Sequence, residues 1–326
     1  MTTVDMHVHL LSSKVAFDRI YDKLALRIIG RSFGIDLQLA KSDPYEAYTQ
    51  ALIENVKNSE HISKIALFGV DAKFDDSGNE IHRDKTVSAS NEDVYEIYKK
   101  HPDLVIPFFS INPKRKDALD LIDKYTEFGF KGAKFLQNYW AVDTREKRYI
   151  PYFRKLYEKN IPLIVHIGSE SSVASEKSCE TIEMLNGPLR EGVNTIAAHM
   201  ALSYDLFTIY RSFSKDPSKF NTEYFVLLEM LKKHQNLYAD ISALLTPVRA
   251  KVLPHLSKQE DIHGKLLFGT DFPVPFNTIF TSYDLSLKKR VELNRVPNPF
   301  DRYAKAVLEY FPPHSEIYNN WQKLLS

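Results

Sequence analysis

Five side chains in this sequence have the types and the spacing to hold and use a metal ion. His7 and His9 lie two residues apart in the run Asp5-Met6-His7-Val8-His9. Residues i and i+2 of a strand point to the same face, so both rings project inward and can bind one cation. An isolated His-x-His pair is as often idle as functional, and this one gains force from what closes three other runs. His166 ends Pro162-Leu163-Ile164-Val165, His199 ends Ile196-Ala197-Ala198, and Asp271 ends Leu266-Leu267-Phe268-Gly269-Thr270. Imidazole and carboxylate donors together suit zinc or a similar divalent transition metal.

Those residues need elements that bring them together. Short apolar runs rich in β-branched residues recur at 4–9, 64–70, 104–110, 131–136, 161–167, 193–199, 236–242 and 265–271. Several are nearly continuous in apolar character, as strands buried on both faces should be. Helical patterns lie between them at 44–60, 91–101, 114–128, 150–160, 178–186, 221–235, 247–256 and 298–311. Asp43-Pro44 is a helix start with Asp as cap, and Ser90 or Asn91 can cap the next helix. Strand and helix alternating eight times predict an α/β protein, a (β/α)8 barrel whose active site surrounds the carboxyl ends of the strands. Four histidines and an aspartate then converge on one mouth. The rival is a doubly wound open sheet, but no Gly-x-Gly-x-x-Gly turn follows any run.

The chain has 326 residues, which one such barrel with insertions fills, and no Pro-, Gly- or Ser-rich linker divides it. We therefore expect a single domain over 1–326. Residues 11–43 and 71–90 are long connections, and loops of that length usually act as lids or binding loops. The formal net charge of +1 argues against nucleic acid or an anionic membrane as partner, and the basic runs at 114–116 and 288–290 read as solvated helix faces. No apolar stretch reaches the ~18 residues of a membrane span. Cys179 is the single cysteine and the chain opens on a strand rather than a signal peptide, so a cytoplasmic protein is expected.

Five segments in order resemble the amidohydrolase superfamily, in its amidohydrolase-related branch. They are Val4-Asp5-Met6-His7-Val8-His9, Gly129-Phe130-Lys131-Gly132-Ala133-Lys134, Pro162 to Gly168, Ile196 to His199, and Leu267-Phe268-Gly269-Thr270-Asp271-Phe272-Pro273. That branch contains mononuclear hydrolases and metal-dependent decarboxylases. The resemblance implies that His7, His9, His166 and Asp271 are metal ligands and that His199 is an acid–base residue outside the ligand set. It also matches Lys134 to a position that some members carbamylate to bridge two metals. The pattern Gly132-Ala133-Lys134-Phe135 resembles the single-metal branch instead, so one Zn2+ per chain is expected, with Lys134 unmodified and near the substrate. The two long loops match no known substrate class.

The expected function is hydrolysis of a small amide, ester or lactone by a metal-activated water. The ion lowers the pKa of that water from about 15.7 to around 7. Asp271 accepts its proton, and His199 hydrogen-bonds the carbonyl or protonates the leaving group. The alternative is non-oxidative decarboxylation of an aromatic or unsaturated acid, disfavoured because no arginine is evident at a strand end. A binding barrel without turnover is the third reading, and the intact ligand set argues against it. The expected partner is a small-molecule substrate; whether copies of the chain form a homo-oligomer stays open. Asp240 reads either as the carboxylate that orients a ligand histidine or as an interior structural group. Tyr139 and Trp140 read as loop packing or a pocket wall, Glu170 as a loop carboxylate, and Cys179 as packing. His61, His82, His101, His234, His255, His263 and His314 receive no role.

Overall fold

Each of the eight apolar runs overlaps a strand. They are β1 (Thr3–His9), β2 (Ile62–Phe68), β3 (Val105–Phe109), β4 (Gly132–Phe135), β5 (Leu163–Val165), β6 (Thr195–Ala197), β7 (Leu237–Asp240) and β8 (Leu266–Leu267). All neighbours pair in parallel and in chain order. The computed structural model describes residues 2–12, 30, 33–81, 89–169, 175–203, 220, 222–246, 249–281 and 284–325. The ring closes between the last strand and the first through three backbone bonds. Met6 N donates to Phe268 O (3.0 Å), Asp271 N to His7 O (2.9 Å) and His9 N to Phe272 O (2.8 Å). The result is the (β/α)8 barrel expected from the alternation.

The longer helices fall where periodicity places them: α1 (Pro44–Lys57), α2 (Asn91–Lys100), α3 (Ala118–Glu127), α4 (Ile150–Glu158), α5 (Thr222–Lys233) and α6 (Pro299–Leu308). Asp43 caps α1 through Glu46 N, and Ser90 caps α2 in a reciprocal pair with Asp93; each satisfies N–H groups that a helix start leaves open. Two expected helices differ. The span 178–186 breaks into 3-10 turns at Lys177–Cys179 and Ile182–Leu185, with a short helix at Asn186–Arg190. Pro188 sits in the first turn of that helix, where its missing N–H costs nothing. The span 247–256 is a 3-10 turn at Ala250–Val252 followed by Leu253–Leu256, and residues 247 and 248 lie outside the described ones.

Two apolar layers hold the barrel. The inner one joins Val4, Met6, Phe68, Phe108, Ile164, Ile196, Tyr238 and Leu267, with Trp321 and Leu324 from the C-terminal end packed against it. The outer one lies between strands and helices and includes Val8, Leu67, Phe109, Ala133 and Val165. Val4 and Met6 face inward while Val8 faces outward, so the facing of β1 switches along its length. The ladder to β2 shifts register between Asp5 and Val8. Such an irregularity re-aims side chains, and here it turns His7 and His9 into the mouth above Met6.

The expected loops are described only in part. Leu39–Ser42 is a short helix, and Lys73–Phe74 pairs with Glu80–Ile81 as a hairpin. Residues 13–29, 31, 32 and 82–88 lie outside the described ones, as does His82. The basic run at 114–116 is ion-paired: Lys114 meets Asp76 at 2.8 Å, and Arg115 meets Asp117 at 2.9 Å and Asp71 at 3.2 Å. Among the described residues no helix is long and apolar enough to cross a membrane.

Candidate metal centre

β1 and the segment after β8 build the centre. Asp271 Oδ1 lies 3.4 Å from His7 Nε2 and 3.2 Å from His9 Nε2. Asp271 has φ +67°, a left-handed backbone that a non-glycine residue adopts at a cost, and its N–H is tied to His7 O. Tyr48 pins the next turn of β1 by donating its hydroxyl to His9 O. Gly269 has no side chain because one would crowd His7 Cβ (3.1 Å) and Ser242 Cβ (3.2 Å).

This spacing fits a metal. Donors about 2.0–2.2 Å from a tetrahedral ion stand roughly 3.3–3.6 Å from one another, close to the 3.4 and 3.2 Å that separate Asp271 Oδ1 from the two rings. The three donor atoms all lie within 4.8 Å of one another. Asp271 Oδ1 is buried and accepts no hydrogen bond from the described residues, which leaves it as a donor atom on a carboxylate withdrawn from water.

Behind His7 stands Asp240, fully buried. His7 Nδ1 meets Asp240 Oδ2 at 2.8 Å, which orients the ring and leaves Nε2 for the mouth. Of the two readings of Asp240, the structure matches the orienting one. Its other oxygen accepts from His199 N (2.9 Å), Ser242 N (3.1 Å) and the Ser242 hydroxyl. His199 Nδ1 meets Ser242 Oγ at 2.8 Å and Ser242 O at 3.2 Å, and Asp271 Oδ2 at 3.7 Å. His199, Met200 and Ala201 form a left-handed turn, with φ of +56°, +53° and +55°. Burial holds the His7 and His199 rings well below the usual histidine pKa, and the nearby charges of Lys134 on His7 and of Arg249 on His199 push the same way.

His166 is placed differently. It is buried at the end of β5, its ring edge-on to His199 with centroids 5.2 Å apart. Its nitrogens do not join the close group of His7, His9 and Asp271. Gln137 holds the backbone here, its Nε2 donating to His166 O and Cys179 O. A second close group, His7, His199 and Asp240, is a hydrogen-bonded set whose carboxylate oxygens are already used.

Two buried cations border the histidines. Lys134, on β4, is 1% exposed, with Nζ 3.0 Å from His7 Nε2 and 5.2 Å from the Phe68 ring centre. Arg249, nine residues past β7, is 4% exposed and donates through Nε to Leu202 O at 2.8 Å. Arg249 and Ser242 are the site residues that sequence reasoning missed. Ser242 shares the i, i+2 facing of Asp240, a signal available in the sequence; no spacing rule points to Arg249. Beneath the centre, burial pushes Asp5 up to about 7 although it accepts from His7 N, Thr270 N and Thr270 Oγ1. Trp140 donates to Asp71 O (3.0 Å) and packs edge-on to Phe135. Tyr139 and Cys179 are buried as well, and Glu170 lies outside the described residues.

Comparison with known proteins places these features. No curated protein matches the sequence. Solved structures share the fold at low identity. A probable 2-pyrone-4,6-dicarboxylic acid hydrolase from Acinetobacter baumannii, with citric acid bound, is 13% identical with a TM-score of 0.55, over 100% of this chain and 99% of that one. A dihydroxybenzoic acid decarboxylase from Polaromonas sp. JS666, with manganese and the inhibitor 2-nitroresorcinol, is 17% identical with a TM-score of 0.53, over 99% and 96%. An amidohydrolase from Burkholderia multivorans with bound zinc is 11% identical with a TM-score of 0.52, over 95% and 99%. The amidohydrolase family profile matches residues 4–293, nearly the whole chain, and this protein belongs to the amidohydrolase family.

Proposed function

We propose that the chain is one catalytic domain, a metal-dependent hydrolase of a small amide, ester or lactone. The carrying observation is the spacing of His7 Nε2, His9 Nε2 and Asp271 Oδ1, with Asp240 fixing the His7 ring behind them. In this reading one divalent ion, zinc, is held by those three residues and by His166, which approaches from the end of β5. When bound, the ion supplies Lewis acidity toward water and toward a carbonyl oxygen. Asp271 offers its second oxygen, Oδ2, to a proton on the His199 side. His199 stands across the mouth as the acid–base group. Lys134 is the cation that meets a substrate oxygen. The single, buried thiol of Cys179 supports a cytoplasmic setting.

Decarboxylation is the second reading, and Arg249 favours it. The sequence offered no arginine to hold a departing carboxylate, whereas Arg249 and Lys134 are both buried beside the histidines. The deciding experiment offers the zinc-loaded protein two panels, one of esters, amides and lactones and one of aromatic and unsaturated carboxylic acids. Turnover of the first panel that stops on chelation and returns with zinc is the expected result. Carbon dioxide release from the second panel alone would reverse the order, and full activity without metal would end both readings.

A further inference from the structure

Hydrogen-bond accounting around Asp240 leaves one arrangement of protons. Asp240 Oδ1 accepts two backbone N–H groups, from His199 and Ser242, and so behaves as an acceptor. The Ser242 hydroxyl points its proton at that oxygen, leaving the Ser242 Oγ lone pairs for His199 Nδ1 at 2.8 Å. The Ser242 carbonyl, which can only accept, faces the same nitrogen at 3.2 Å. His199 Nδ1 must then carry its proton. The reverse assignment sets a bare Nδ1 against the carbonyl. It also turns the hydroxyl proton away from Asp240, bringing two lone-pair-bearing oxygens into close contact. An unpaired polar contact of that kind in a buried site is destabilising, and here there would be two.

We infer that Ser242 is a positioning residue: backed by Asp240, it locks His199 in the Nδ1–H tautomer, so that Nε2, bearing a lone pair, is the nitrogen that meets the reacting group. The inference rests on the acid–base reading of His199 above and assigns the order of its work. A neutral His199 in this tautomer accepts at Nε2 and donates there only after taking a proton. The support is rigid. Tyr303, fully buried, donates to Ile241 O (2.7 Å) and accepts from Leu244 N (3.1 Å), clamping the turn that carries Ser242. His7 is fixed in parallel, because its Nδ1 proton goes to Asp240 Oδ2.

The test is two-bond 1H–15N correlation on full-length protein carrying 15N-histidine, loaded with zinc, with the His199 signals assigned by their loss in His199→Asn. The expected spectrum has His199 Nδ1 in the protonated range and Nε2 in the lone-pair range. Ser242→Ala, which removes the hydroxyl and keeps the backbone carbonyl, should move both His199 nitrogens part of the way toward a common averaged shift while His7, still bonded to Asp240, keeps its pattern. A proton on Nε2 of wild-type His199, or an unchanged His199 pattern in Ser242→Ala, would overturn the inference. Should zinc fail to load, the metal reading fails by itself, and the same spectra of the metal-free protein still decide the tautomer.

Discussion

Lys134 Nζ lies 3.0 Å from His7 Nε2, so an ammonium group stands at the nitrogen assigned to the metal. On the proposed reading, a cation here competes for the electrostatic place of the ion. Two unit charges about 4 Å apart interact by roughly 4 kcal/mol at an effective dielectric of 20, and much of this is relieved if the lysine chain swings away. Lys134→Met is therefore expected to tighten zinc binding about tenfold or more, with one ion per chain, measured by competition against a chromophoric chelator. Weaker binding, or a second ion lost with the lysine, would instead make Lys134 a carboxylated bridge.

The histidines of β5 and β6 should separate by what they lose. His166→Ala is expected to lose both zinc and turnover. His199→Ala should keep most of its zinc and lose about 10²–10⁴-fold in rate, the scale of one acid–base group. Elemental analysis of both variants checks this. If His199→Ala arrives without metal and His166→Ala with it, the two roles are exchanged.

The left-handed turn at His199–Ala201 makes a stability prediction free of any substrate. A left-handed alanine costs about 1–2 kcal/mol, whereas replacing it with glycine costs about 0.5–1 kcal/mol through the freer unfolded chain. Ala201 has φ +55° and a side chain of one methyl group. Ala201→Gly is accordingly expected to stabilise the fold by roughly 0.5–1 kcal/mol, seen as a higher urea midpoint with an unchanged slope. A lower midpoint would mean that the methyl contact outweighs the backbone strain.

Asp71 carries a pH prediction away from the metal. Burial pushes its carboxyl up to about 6, against the pull of Arg115 and two backbone N–H groups. Between the unfolded value of 3.8 and about 6 the unfolded chain has released this proton and the folded one has kept it, so stability falls as pH rises through that window. Each unit of pKa difference is about 1.4 kcal/mol, giving a loss on the order of 3 kcal/mol. Asp71→Asn should flatten this part of the stability curve between pH 4 and 6, measured by urea unfolding. Equal slopes in variant and wild type would refute it.

Much of this molecule was legible because its signals are local. Continuous apolar runs announce doubly buried strands, and each of the eight overlaps one. Asp43-Pro44 and Ser90 cap helices by chemistry contained within four residues. His7, His9 and Asp271 were found because they stand on or just after strands that end at a common mouth. What failed depends on partners distant in sequence. The switch of facing between Met6 and His7 is set by how β1 pairs with its neighbours, not by its own alternation. The expected 178–186 helix gives way to 3-10 turns, and the chain begins its short helix only at Asn186. Arg249 acts on the histidines through its charge from a connection whose path no periodicity fixes.

The bonds that close the barrel also fix when its chemistry can begin. Asp271 N bonds to His7 O and His9 N to Phe272 O, so the seam between the two ends of the sheet and the metal centre are one structure. These partners lie more than 260 residues apart in the chain. As the polypeptide leaves the ribosome, His7 and His9 emerge more than 260 residues ahead of Asp271. A partly made chain offers an incoming ion two imidazoles and no Asp271. On the proposed reading, capture of metal in its final geometry would report that the ring has been completed.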